Sequence, residues 1–395
     1  MVNSQSINKM IADFLKKYKV LYRLFFYLGS FFVNIIGLFI KIKHNRVLFI
    51  SYGGKQFSDS PKVIYEAMLQ DNHFENCEFI WAFINPAQFE INRGIKVRID
   101  TLNYLYYALS SKIWIVNSSA ERGLSFKKKK TICLNTWHGT PIKKMGTDKE
   151  GKRSFGKMGK FLNDIFLVQG EYEAEIFIKA MDINREAVRY IGLPRNDEFA
   201  HIDRDRVNYI KESLNIPLNK KVILYAPTFR DYDTDVIGNK IFNPPIHLEK
   251  WSESLGEEYV LLYRLHYEVS KSSLLNYTGE FAMNMTTYSS LNDLIIISDL
   301  LISDYSSIFF DYSITLKPML CFAYDLVEYT KERGLYLDLS KDMPSGYFKN
   351  EDDLLNEIKS NLCCNQKAVV EFKKRFIPYY GNATKQVIDI LNTLI

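Results

Sequence analysis

From residue 45 onward the chain alternates short apolar runs with helical stretches, and it does so twice. The first series is RVLFIS (46–51), FIWAFI (79–84), KVRID (96–100), KIWIVNS (112–118), TICLNTWHG (131–139), DIFLVQG (164–170) and AVRYIG (187–192). The second is KVILY (221–225), YVLLYRLH (259–266), the strand that follows a helix within LNDLIIISDLLIS (291–303), and PMLCFAYD (318–325). Apolar runs of this length, bounded by Gly, Asn, Ser and Asp, read as strands buried on both faces. Strands separated by helical stretches imply parallel sheets covered by helices. A polar, helix-like stretch at 201–221 divides the two series.

The fold class expected is therefore α/β, of GT-B type: two Rossmann-like doubly wound domains facing a cleft. The expected divisions are 1–44 (an amino-terminal helical segment), 45–205 (the first domain) and 206–395 (the second, with the carboxyl-terminal helices). A length of 395 residues fits two domains. Ligands of such sheets bind beyond the carboxyl ends of the strands, so the cleft is where chemistry is expected.

The net charge of +5 suits an acidic substrate or an anionic membrane surface and is too small to argue for nucleic acid. Five cysteines, an odd number with no CxxC, give neither a disulfide framework nor a Cys-based zinc site. Residues 21–42 (LYRLFFYLGSFFVNIIGLFIKI) are the most apolar stretch. No cleavage site follows, and Arg23, Gly29, Ser30, Asn34 and Gly37 interrupt the run. Lys16, Lys17 and Lys19 precede it, and Lys41 and Lys43 follow. Flanking cations favour a helix lying at the cytoplasmic surface; a span and a helix packed on the domain are the alternatives. KKKK (127–130) reads as a solvated loop.

Two of the six histidines directly follow strand patterns: His138 in NTWHGTPIKKMG and His266 in LLYRLHYEVS. A histidine there points into the cleft, and its ordinary pKa near 6.5 suits proton transfer. In WHGTP, Gly139 allows backbone geometry closed to other residues, Thr140 is a candidate helix cap, and Pro141 can open a helix. Lys143 and Lys144 follow as phosphate or headgroup contacts, or as a solvated helix face. SDYSSIFFDY places Asp304, Ser306 and Ser307 where the next helix should start, which reads as an anion site or as plain capping. Thr228 and Arg230 follow one strand and Arg264 another; arginine can fork onto phosphate oxygens. GLPRND (192–197) reads as a structural turn. DRD (203–205) and DYD (231–233) are poor metal clamps, and no P-loop, HExxH or GxSxG occurs.

NTWHGTPIKKMG, GLPRND, YAPTFRD, RLHYEV, SDLLISDYSSIFFDY and DLVEYTKERGLYLD, in that order, resemble the CDP-glycerol glycerophosphotransferases of teichoic-acid and capsule synthesis. The resemblance implies a membrane-associated enzyme moving glycerol phosphate from CDP-glycerol to an undecaprenyl-diphosphate disaccharide, with release of CMP. The chain's size is closest to the priming members. The location implied is peripheral or monotopic, on the cytoplasmic face of the bacterial membrane. It implies essential roles for His138 and His266. Thr228, Arg230, Arg264, Ser306 and Ser307 would lie near the donor pyrophosphate, with Asp304 and Asp311 shaping the pocket. Gly139 and Thr140 would also contact substrate. No cofactor, metal or nucleic-acid partner is expected. CDP-ribitol as donor, polymerisation, a nucleotide-sugar transferase and a non-catalytic membrane scaffold are the competing readings.

Overall fold

A computed structural model of the protein describes residues 18–149, 163–230, 240–265, 269–360 and 363–395. The first half is a parallel sheet of β1 (Lys43–Ile50), β2 (Glu78–Phe83), β3 (Ile95–Arg98), β4 (Ser111–Val116), β5 (Ile132–Asn135), β6 (Ile165–Val168) and β7 (Val188–Tyr190). Their order is β3-β2-β1-β4-β5-β6-β7. The chain reverses its direction of growth between β1 and β4, which opens a crevice at their carboxyl ends. Register pairs Ile50 with Val116 and Val116 with Asn135, so the ends of β1, β4 and β5 are level.

Val47–Ile50 and Phe79–Phe83 are buried without alternation, because helices cover both faces of the sheet. One face is aromatic: Trp81 stacks on Phe49 (5.1 Å between ring centres) and on Phe83 (5.6 Å). Val387 and Leu391, from the last helix (Ala383–Asn392), fill the same core. The carboxyl-terminal helix thus returns to pack on the first half.

The second half carries β8 (Lys221–Tyr225), β9 (Lys240–Ile241), β10 (Tyr259–Tyr263), β11 (Val269–Lys271), β12 (Ala282–Asn284), β13 (Leu300–Ser303) and β14 (Met319–Cys321). β9 and β11 pair separately; the main sheet runs β12-β10-β8-β13-β14, all parallel, with its own switch point between β8 and β13.

The halves are in contact. Ile142, in the loop after β5, is buried in the core of the second half. Lys143 bridges to Leu335, and the Tyr336 amide donates to the Ile142 carbonyl (2.7 Å). This pairing explains a departure from the sequence reading. Pro141 opens no helix, because the segment runs extended into the other half.

The amino-terminal helix (Lys19–Phe39) buries Phe26, Ser30, Val33 and Gly37, spaced four, three and four residues apart on one face. That face docks on the first half: Asn34 donates to the Ser125 carbonyl (2.7 Å), and the Ser125 amide donates to Ser30 (2.9 Å). The KKKK loop is less solvated than expected. Lys127 pairs with Asp164 (3.0 Å), and Lys128 donates to the Ile40 carbonyl just past the helix end.

Candidate active site

The first switch point is lined by the residues that follow β1, β4 and β5. After β1 the backbone turns through Tyr52 (φ 47°), Gly53 (φ 61°) and Gly54 (φ 85°). A side chain at Gly54 would collide with Ile99, since an added Cβ would sit 2.2 Å from that side chain. The Tyr52 amide donates to Asn117 Oδ1 (2.7 Å), tying the ends of β1 and β4 together.

His138 enters this crevice from the end of β5. Trp137 precedes it at φ 52°, an unfavourable value for a bulky residue, and its indole stacks on the imidazole (4.2 Å). His138 Nδ1 lies 2.6 Å from the Asn117 carbonyl oxygen. A carbonyl only accepts, so Nδ1 carries the proton and Nε2 of the neutral ring keeps its lone pair. Burial lowers the His138 pKa, against the opposing pull of the Asn117 carbonyl and Asp59.

Behind His138 lies a buried polar network, of which the sequence reading named Thr140 and Asp311 but not Asp59, Gln169, Glu173, Arg195 or Asn196. Asp59 accepts from the Tyr52 hydroxyl (2.6 Å) and from Arg195 (2.9 Å). Arg195 reaches Asp311 of the second half with its other prong (2.9 Å). Asn196 donates to Asp311 Oδ1 (2.7 Å) and to Gln169 Oε1 (2.7 Å). Gln169 Nε2 donates to Thr140 (3.2 Å), and the Thr140 hydroxyl donates to Glu173. Burial works against the Asp59 charge, but Arg195 and Tyr52 hold its pKa below the usual carboxylate value. Burial also opposes the Arg195 charge; Asp311 and Asp59 more than offset it. Glu173 is pushed up to about 7 by burial, partly countered by Thr140 and the Gln169 amide.

Arg195 and Asn196 belong to GLPRND, read above as a turn. It is one: Gly192 has φ 86°, and the chain coils through Pro194–Ala200. The signal for more was position, because the motif follows β7 just as WHGTP follows β5. Thr140 caps no helix; its hydroxyl serves the network instead.

At the second switch point Asp304, after β13, accepts from the Thr228 amide (2.7 Å) and from the Tyr305 amide (2.6 Å). Arg230 is buried and ion-paired with Asp304 (2.9 Å) and Asp325 (2.7 Å), its guanidinium close to the rings of Tyr305 and Tyr329 (4.9 Å each). That guanidinium therefore supports the loop and is not placed as a phosphate fork. Thr228 Oγ1 is buried with no hydrogen-bond partner among the described residues. Arg264 is half-buried, donating to the carbonyls of Met285 (3.0 Å) and Tyr288 (2.5 Å). Burial lowers its pKa, opposed electrostatically by the Tyr52 phenol of the first half. Ser306 accepts from the Ile308 amide (3.3 Å), and the helix that follows is only Ile308–Ser313. Its start is thus largely self-capped.

The two switch points meet at Gly139 and Ser307. An added Cβ at Gly139 (φ 152°) would lie 2.6 Å from Ser307 Oγ. His138, Gly139, Thr140, Ser307 and Asp311 are thus brought together. Thr228, Arg230 and Asp304 form a second group. His266 lies outside the described residues, as does DYD 231–233.

Residues 32–393 match the sequence pattern described as CDP-glycerol:poly(glycerophosphate) glycerophosphotransferase. The chain is 33% identical over 373 residues to a teichoic acid poly(glycerol phosphate) polymerase of Staphylococcus epidermidis, covering 89% of this chain and 51% of that protein. It is 33% identical over 330 residues to a teichoic acid glycerol-phosphate transferase of Staphylococcus aureus, covering 80% of this chain and 83% of that protein. The chain thus spans about half the length of the first of these relatives. The solved structure of the wall teichoic acid polymerase TagF superposes with a TM-score of 0.81 at 30% identity, over 98% of this chain and 96% of that one. Structures of that polymerase with a replaced histidine include one with CDPG. A UDP-GlcNAc 2-epimerase of Neisseria meningitidis, 13% identical with a TM-score of 0.56, shares the fold alone.

Proposed function

Because the chain belongs to the CDP-glycerol:poly(glycerophosphate) glycerophosphotransferase family, a family of transferase enzymes, we propose that it moves glycerol phosphate from CDP-glycerol to an undecaprenyl-diphosphate-linked disaccharide. An acceptor hydroxyl attacks the phosphorus that bears the glycerol. The new P–O bond forms as the bond to the CMP phosphate breaks, and CMP leaves with the electron pair. The hydroxyl proton passes to Nε2 of His138. Such a step depends on placement and charge screening more than on covalent help.

The observation that carries this reading is the bond between His138 Nδ1 and the Asn117 carbonyl, which leaves Nε2 as the basic nitrogen at the switch point. Thr228, whose buried hydroxyl has no partner among the described residues, Arg264 and Ser307 are the donor-side contacts proposed, and His266 is proposed to stabilise the charge developing toward CMP. Arg230 and Asp304 hold that loop in shape. The amino-terminal helix is proposed to lie in the cytoplasmic leaflet rather than to cross it. One face is committed to the protein, whereas Phe31 (59% exposed), Leu38 (82%) and Phe39 (84%) are bare. An acceptor whose anchor sits in that leaflet would then present its sugars to the cleft.

The test is purified protein in detergent with CDP-glycerol or CDP-ribitol and a short-chain analogue of the lipid-linked disaccharide. One added glycerol phosphate per acceptor is expected, with CMP released; many additions would make the chain a polymerase. His138→Asn should cost about 10²–10⁴ in kcat. Because burial holds the His138 pKa below its ordinary value, kcat should fall only as pH drops beneath that ordinary value. No CMP from either donor, with folded protein and intact acceptor, would overturn the proposal.

A further inference from the structure

We propose that Arg195 is a positioning residue that couples the contact between the halves to the basicity of His138. One prong of its guanidinium is held by Asp59, which also accepts from Tyr52 next to the imidazole; the other is held by Asp311 of the opposite half. This rests on the reading of His138 as the base.

The geometry is specific. Arg195 Nη1 is 2.9 Å from Asp59 Oδ2, and Nη2 is 2.9 Å from Asp311 Oδ2. All three side chains are nearly inaccessible, at 9% exposure or less. The same Asp59 oxygen accepts from Tyr52, whose ring lies 5.7 Å from the imidazole. Arg195 also backs the loop that carries His138, since an added Cβ at Gly139 would lie 4.0 Å from Nη2. A buried triad of this kind contributes little net stability compared with an apolar replacement of equal shape. A planar fork that reaches one carboxylate in each half can register them, and a single ammonium cannot.

The Asn117 carbonyl and the Tyr52 and Trp137 rings lie against His138, Asp59 and Arg195 act on it through their charges, and Arg264 of the second half interacts electrostatically with Tyr52. Asp59 favours the imidazolium and Arg195 disfavours it. Asp311 acts only by neutralising part of the Arg195 charge. Removing the Asp311 charge should therefore leave Arg195 more strongly positive toward His138 and lower its titration. Removing the Arg195 charge should raise it. A merely structural role predicts something else: loosening the halves would hydrate the imidazole and move both variants upward.

The experiment follows the imidazole Cε1–H signals of the full chain in detergent, labelled at histidine. The His138 signal, one of six, is identified by its loss in His138→Gln. The expected result is a downward shift of the His138 titration in Asp311→Asn, with an upward shift in Arg195→Gln. Should Arg195→Gln not fold, Asp59→Asn replaces it and should move the titration down. Arg195→Lys should fold and lose about 10²-fold in kcat, the usual cost of a small misplacement. An unchanged or raised His138 titration in Asp311→Asn overturns the proposal. A native chain that releases no CMP yet shows the downward shift supports this coupling and sinks the proposed reaction instead.

Discussion

At the scale of single residues, Glu173 sits in an environment that its sequence neighbours do not suggest. It sits in the first turn of the helix Glu171–Met181, where a carboxylate ordinarily faces water and the helix dipole favours its charge. Here it is buried, and its pKa is pushed up to about 7. A folded-state value above the unfolded one means that its contribution is fully present below about 4.5 and is lost as pH rises through about 7. The loss would amount to roughly 3 kcal/mol. Glu173→Gln should abolish that loss: at pH 8 the variant should resist urea better than the native chain, and at pH 5 the two should nearly coincide. Equal urea midpoints at pH 8 would show that Glu173 is not protonated at lower pH. A lone histidine is ordinarily a satisfied core or surface residue; His138 stands out in the sequence because each half has a histidine at an equivalent place after a buried strand, and because WHGTP carries the family resemblance. Arg195 and Asn196 do not, since Gly192 and Pro194 already account for the turn that contains them. Nor does sequence reveal that Arg230 is held by Asp325, 95 residues away along the chain.

Among elements, the buried strands fall where apolar runs place them, because a strand covered on both faces has no reason to alternate, whereas β9, β11 and the partly exposed β12 lie in none of those runs. The helix expected after Pro141 fails because its residues pair with the other half, a contact invisible to local propensity. The amino-terminal helix lies between these cases. Its length and apolarity are plain in the sequence, but which face meets protein depends on the surface that Ser125 and Leu124 present. The two faces can be separated by experiment. Phe31→Asp, on the exposed face, should release the protein from vesicles containing anionic lipid while leaving its melting temperature nearly unchanged. Val33→Asp, on the docked face, buries an unpaired carboxyl group and should cost at least about 2 kcal/mol in stability. Flotation together with thermal unfolding checks both. Retention of Phe31→Asp on vesicles would remove the exposed face as the membrane contact.

For the whole molecule, the alternation of elements reveals two halves but not how closely they approach. That distance is set at one point where the Ser307 side chain meets a glycine, Gly139. At Gly139 an added Cβ would lie 2.9 Å from Ser307 Cβ, nearer than side-chain carbons approach one another. The backbone there also has φ 152°, which L-residues rarely adopt. Gly139→Ala should therefore wedge the loop bearing His138 away from the second half and lower kcat by at least about tenfold, on the argument that small misplacements are costly in catalysis. Two causes, contact and backbone strain, are mixed in that loss, and a double-mutant cycle separates them. If the contact dominates, Gly139→Ala should cost much less in a Ser307→Gly background, where the opposing Cβ is gone. If the same factor is lost in both backgrounds, the Gly139 backbone alone is responsible. The spacing of the halves at Ser307 would then carry no part of the rate.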